Sequence, residues 1–91
     1  MTLCVLGAGA FGSALAITLA KTSRKIVLWC RSKRFAEDLQ TNRNNEKYLL
    51  KSQFSPNITI TSDINEAVKK AEAILMCIPA QKVYSFLDSN Y

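Results

Sequence analysis

Gly7, Gly9 and Gly12 stand in the spacing Gly-x-Gly-x-x-Gly, directly after the apolar run Leu3-Cys4-Val5-Leu6 and directly before the small-residue stretch Ser13 to Lys21. A strand, a glycine bend and a helix in that order make a receptor for a diphosphate. Gly7 permits the tight turn out of the strand. Gly9 leaves the main chain bare, so that phosphates approach it closely, and Gly12 lets the helix lie against the strand. The unpaired N–H groups at the helix start, Ala10 among them, and the positive end of the helix dipole then face the anion. Phe11 opens the helix, where it either covers the bound group or packs the helix start into the core. Three glycines alone are a weak signal; the strand before them and the helix after them make it a strong one.

A second position bears on the same ligand. In dinucleotide sites an acid roughly 20 residues past the glycines accepts hydrogen bonds from the adenosine ribose. Here the second apolar run, Lys25 to Cys30, leads into Arg31-Ser32-Lys33-Arg34, and the next acid is Glu37. Arg31 would instead attract a 2′-phosphate and stack on the adenine face. The expected cofactor is therefore NAD or NADP, with NADP tolerated or preferred. Ser32 stands where a helix cap belongs, and Lys33 and Arg34 are secondary candidates. Lys33 and Arg34 read equally well as a solvated basic turn. A later apolar run, Ala73 to Ile78, ends in Pro79-Ala80-Gln81. Ligands of open α/β sheets bind beyond the carboxyl ends of the strands, which makes Pro79 and Gln81 candidates for cofactor contact. Pro79 reads equally as a residue that merely stops a strand.

The remaining pattern supplies the scaffold. Thr2 to Leu6 is apolar at almost every position, as in a strand buried on both faces of a parallel sheet. Phe11, Leu15 and Leu19 recur at helical spacing, with alanines between them that allow close packing on the sheet. Ser32 caps a second helix running to about Thr41. The polar, asparagine-rich stretch Thr41 to Asn57 reads as a long connection with Tyr48, Leu49, Leu50 and Phe54 as apolar anchors. Ile58 to Thr61 alternates like a short strand. Asp63 with Glu66 forms a variant capping box at the start of a third helix through Ala67, Val68 and Ala71. Ala73 to Ile78 is a fourth strand, and Ala80 to Leu87 opens a further helix. Alternating strands and helices with right-handed crossovers predict an α/β fold, a Rossmann-like doubly wound parallel sheet with strands in the order 3-2-1-4. With about four strands that sheet is incomplete, so residues 1–91 are expected to be a truncated N-terminal NAD(P)-binding domain. Its fourth strand would present an apolar edge on which a second copy of the chain could pair as a homodimer.

Composition narrows the partners. The chain has 91 residues, of which 48% are hydrophobic, enough for one small globular domain. The net charge of +5 is scattered over helices and loops with little aromatic interleaving. That argues against nucleic acid and suits an anionic dinucleotide. Cys4, Cys30 and Cys77 fall in or at the ends of apolar runs, with no CxxC and no histidine anywhere in the chain. They read as small buried hydrophobes in a reducing compartment, not as metal ligands. The apolar N-terminus has no Lys or Arg ahead of it and is interrupted by glycines, so neither a signal peptide nor a membrane span is expected and the chain is placed in the cytoplasm.

Four segments together are narrower than any one of them: Val5 to Ala16 with its glycines, Leu28-Trp29-Cys30-Arg31, Asn42 through Tyr48-Leu49, and Ala73 to Gln81. In this combination, over nearly its whole length, the chain resembles the N-terminal portion of the bacterial NAD(P)-dependent glycerol-3-phosphate dehydrogenases. The resemblance implies an oxidoreductase interconverting glycerol 3-phosphate and dihydroxyacetone phosphate for glycerophospholipid synthesis. It implies cofactor contacts at Ala10, Phe11 and Arg31, and weaker ones at Ser32, Lys33 and Tyr48. Leu50 stands where the family usually has proline. The family's catalytic lysines belong to a segment and a helical substrate domain beyond residue 91. The chain is therefore expected to bind cofactor, to hold no catalytic residue and not to turn over the phosphorylated substrate alone. Three other readings stay open: a dehydrogenase of the same architecture, such as a ketopantoate reductase; a non-catalytic dinucleotide-sensing module, which would more often carry the ribose-binding acid that Arg31 replaces; and a decayed reading frame.

Overall fold

The computed structural model describes residues 2–22, 24–45 and 53–78. Four strands, β1 (Thr2–Leu6), β2 (Lys25–Trp29), β3 (Ile58–Thr61) and β4 (Ala73–Met76), alternate with three helices, α1 (Ala10–Ala20), α2 (Lys33–Asn42) and α3 (Ile64–Lys69). The strands form one parallel sheet in the order β3-β2-β1-β4. Leu6 stands opposite both Trp29 and Met76, and Trp29 opposite Thr61. The carboxyl ends of all four strands therefore line one edge. The predicted α/β architecture and strand order are those of the molecule.

Because side chains alternate across a strand, the apolar run of β1 feeds two cores. Leu3 and Val5 join Ile26, Leu28, Ile58 and Ile60 beneath α1 and α2, while Cys4 and Leu6 join Trp29 and Ala67 beneath α3. Burial pushes the Cys4 and Cys30 thiols up to about 11, so both remain protonated and pack as small apolar groups. Trp29 is buried, and its indole N–H donates to the Ser62 carbonyl at 3.0 Å.

Packing of α1 departs from the Phe11-Leu15-Leu19 stripe. Its buried residues are Gly12, Ser13, Ala16 and Ala20, and Phe11 is 72% exposed. Small side chains bring this helix close to the sheet, with Ile17 and Leu19 half-buried against the core; Phe11 is not packed into it. The helix starts at Ala10, one residue before the expected position. β2 and β4 end before Cys30 and Ile78, although the Cys30 and Cys77 N–H groups still donate to Thr61 and Leu6 carbonyls at 3.0 and 2.7 Å.

Polar side chains tie the connections down. Helix α2 ends at Arg43 in the left-handed region (φ 60°), and the Arg43 guanidinium donates to the Ser55 and Ile58 carbonyls, each at 2.7 Å. Phe54 is buried as an anchor of the long connection. Asn57 donates to the Ala20 and Arg24 carbonyls at 2.9 and 2.6 Å, joining the start of β3 to the turn after α1. On β4, Ile74 and Met76 are about half exposed. Among the described residues no helix is long and apolar enough to cross a membrane. Tyr48, Leu49, Leu50, Pro79, Gln81 and the expected helix Ala80 to Leu87 lie outside the described residues.

Candidate functional site

The bend between β1 and α1 is built by two glycines that the backbone itself requires. Gly7 has φ +113°, a conformation that side chains rarely adopt, and a Cβ there would lie 2.7 Å from the Cys77 carbonyl oxygen. A Cβ on Gly12 would overlap the Gly7 carbonyl oxygen, so α1 leaves the bend in direct contact with it. Gly9 differs from both. Its φ of −73° and ψ of −170° suit any residue, and a Cβ there would meet nothing within 4 Å. The fold places no demand on Gly9; open space lies where its side chain would be.

Gly9 is also the N-cap of α1, and it offers no side-chain hydrogen bond to the first turn. A helix starts with N–H groups that have no partner within the helix. In α1 the turn beginning at Ala10 keeps them free, with the positive end of the dipole behind them. The other two helices are closed. The Ser32 hydroxyl oxygen accepts from the Phe35 N–H at 3.1 Å, and the Asp63 carboxylate accepts from the N–H groups of Asn65 and Glu66 at 3.0 and 3.3 Å. Only half of the expected capping box forms at α3, because the Asp63 N–H donates to the Thr61 hydroxyl instead of to Glu66.

The parallel register sets the second group beside the bend. The Gly7 N–H donates to the Trp29 carbonyl at 2.8 Å, which fixes the bend against the end of β2. Arg31 follows two residues later and is exposed on the same edge, with Ser32, Lys33 and Arg34 also exposed. Gly7, Gly9, Ala10, Phe11, Gly12, Arg31, Ser32 and Lys33 are thus gathered at the carboxyl edge of β1 and β2. The exposed Phe11 ring stands on the first turn of α1, at the mouth of the bend. Tyr48, Pro79 and Gln81 fall outside the described residues. Free main-chain donors, a bare Gly9 and a guanidinium at one edge fit a dinucleotide. Among the described residues no group of acidic, cysteine or histidine side chains is placed to hold a metal ion.

Sequence reasoning missed two residues of this site. Asn45 and Ser13 are fully buried. The Asn45 side-chain amide donates to the Ala8 carbonyl at 2.9 Å and to the Ser13 hydroxyl at 2.7 Å, and the Ser13 hydroxyl donates to the same Ala8 carbonyl at 3.3 Å. Ser13 carried a weak signal as the polar member of the buried small-residue face of α1. Asn45 had no mark of its own beyond its place in the Asn42–Leu49 segment that resembles the family, since it is one of several asparagines in a polar stretch and its partner is 37 residues away.

Comparison with known proteins agrees with this geometry. The family described as NAD-dependent glycerol-3-phosphate dehydrogenase N-terminus matches residues 2–90. The chain is 38% identical over 89 residues to a glycerol-3-phosphate dehydrogenase [NAD(P)+] of Anaplasma marginale, covering 98% of this chain and 27% of that protein. It is 40% identical over 91 residues to the protein of the same name from a Ruegeria species, covering 100% of this chain and 28% of the relative. The crystal structure of glycerol-3-phosphate dehydrogenase from Coxiella burnetii superposes with a TM-score of 0.78 at 28% identity, over 82% of this chain and 23% of that one. The chain spans little more than a quarter of the length of these curated relatives.

Proposed function

The chain belongs to the NAD-dependent glycerol-3-phosphate dehydrogenase N-terminal family, and from that premise we propose that it is the cofactor-binding portion of an enzyme interconverting glycerol 3-phosphate and dihydroxyacetone phosphate. The observation that carries this reading is the open start of α1. Of the three β–α junctions in the described sheet, it alone leaves its first-turn N–H groups without a side-chain cap, and it alone has a bare residue facing open space. Gly9, Ala10 and the helix start hold the diphosphate of NAD(P). Phe11 flanks it at the mouth, and Arg31 meets the adenosine end. When bound, the nicotinamide supplies hydride chemistry; the residues described here bind and orient it. A proton donor and a clamp for the substrate phosphate belong to the rest of the enzyme.

Arg31 in place of a ribose-binding acid favours acceptance of NADPH, because a guanidinium pairs bidentately with a 2′-phosphate that a carboxylate would repel. Tyr48, Pro79 and Gln81 are proposed as further contacts on the strength of their positions in the sequence. The test is a melt of the full chain with excess NADH and, separately, NADPH. A ligand at a hundred times its Kd adds about 2.7 kcal/mol of stability, which raises the Tm by several degrees. Absence of a shift with both cofactors overturns the proposal.

A further inference from the structure

We infer that Asn45 is a positioning residue of the diphosphate site: its amide holds the Ala8–Gly9 peptide in the orientation that turns the Gly9 N–H toward the bound anion. The inference rests on the reading of the β1–α1 bend as that site and adds a device that controls it.

In a trans peptide the carbonyl and the following N–H point in opposite directions. The Ala8 carbonyl is drawn inward, onto two donors that are both fully buried: the Asn45 amide at 2.9 Å and the Ser13 hydroxyl at 3.3 Å. The Gly9 N–H therefore points away from that buried pair, outward from the core. No backbone or side-chain acceptor takes it among the described residues.

This peptide needs holding. Turning it over changes ψ of Ala8 and φ of Gly9, and glycine accepts either sign of φ at little cost. The glycine that keeps the phosphate space clear thus also leaves the adjoining peptide free to rotate. A rotated peptide would present a carbonyl to the anion in place of an N–H. The Ser13 bond alone, at 3.3 Å, is long for a hydroxyl donor. The shorter bond comes from Asn45, on the chain segment leaving α2, and the 2.7 Å contact with Ser13 fixes the Asn45 amide in turn. The connection after α2 is in this way tied to the orientation of one donor at the mouth of α1.

The test is Asn45→Ala in the full chain, titrated with NADH and followed by the Gly9 amide resonance and by thermal melting. In the folded variant the Kd for NADH should rise about tenfold, as expected for loss of one well-placed donor to a charged group. The Gly9 amide resonance of the free protein should move as well. A lower Tm with an unchanged Kd and an unchanged Gly9 resonance would make Asn45 purely structural and overturn the inference while leaving the diphosphate site intact. Failure of the wild-type chain to bind NADH would instead defeat the site itself. Should Asn45→Ala not fold, Ser13→Ala replaces it, with about a threefold rise in Kd expected because the amide keeps its direct bond to Ala8; an unchanged Kd there overturns the inference equally.

Discussion

The first bend of the sheet and the two that follow it solve the same local problem in opposite ways. Each takes the chain from the carboxyl end of a parallel strand into a helix whose first N–H groups lack partners. At α2 and α3 a side chain closes the account locally, Ser32 in one case and Asp63 in the other. At α1 the cap is Gly9, and nothing within the helix replaces the missing bonds. With glycine as the cap the stability forgone is only about a few tenths of a kcal/mol, and the first bend receives structure from elsewhere: Gly12 seated on the Gly7 carbonyl, the Gly7 N–H on Trp29, and the Ala8 carbonyl on Asn45. Capped bends are complete as folded, whereas the first is held in shape by neighbours and left open at its helix start.

The comparison breaks most visibly at Gly12. Gly12→Val would drive a branched side chain into main-chain atoms of the bend, and overpacking against backbone has no side chain to yield. The expected result is loss of cooperative unfolding in circular dichroism; a normal melt would show that helix and bend are not in the contact described. Gly9→Val separates fold from ligand. It should melt near the wild-type temperature, because its backbone suits any residue and its side chain enters open space. Its affinity for NADH should fall about 100-fold or more, roughly 2.8 kcal/mol; retained binding would remove the argument for a diphosphate at this bend.

Smaller effects sharpen the contrast. Arg31→Asp should weaken NADPH about tenfold while leaving NADH affinity unchanged or improved, since only the 2′-phosphate would be repelled. Equal loss of both cofactors in parallel titrations would count against the role given to Arg31. Asp63→Ala is the control from a capped bend. It should cost about 1 kcal/mol in denaturant unfolding and leave NADH affinity where it was. A change in that affinity would mean the three bends are not independent.

The parts legible in advance were those written in neighbouring residues. Alternation at Ile58 to Thr61, the apolar run of β1, the cap at Ser32 and the glycine spacing each report on a few positions along the chain. They led to the four parallel strands in the right order and to the bend as the candidate site. The Phe11-Leu15-Leu19 stripe marked the helix and Leu19 packs against the core, but Phe11 does not, because helical periodicity identifies a face without fixing how closely each end meets the sheet. Close approach favoured Gly12, Ser13, Ala16 and Ala20 and left Phe11 exposed at the site. The capping box at α3 was half right, since a threonine already at the strand end offered Asp63 a nearer partner than Glu66.

Local residue chemistry was enough to specify the glycine bend proposed as the diphosphate site, because turn, bare main chain and helix start are consecutive in the chain and their physics acts over a few bonds. It was not enough to specify how that bend is kept in shape. Asn45 reaches Ala8 only after β2 and α2 have been laid beside β1, and a contact made across 37 residues leaves no periodicity or spacing in the sequence to read. Folding also distinguished the three glycines, since only a packed neighbourhood shows that Gly7 and Gly12 are demanded by backbone contact while nothing in the fold demands Gly9.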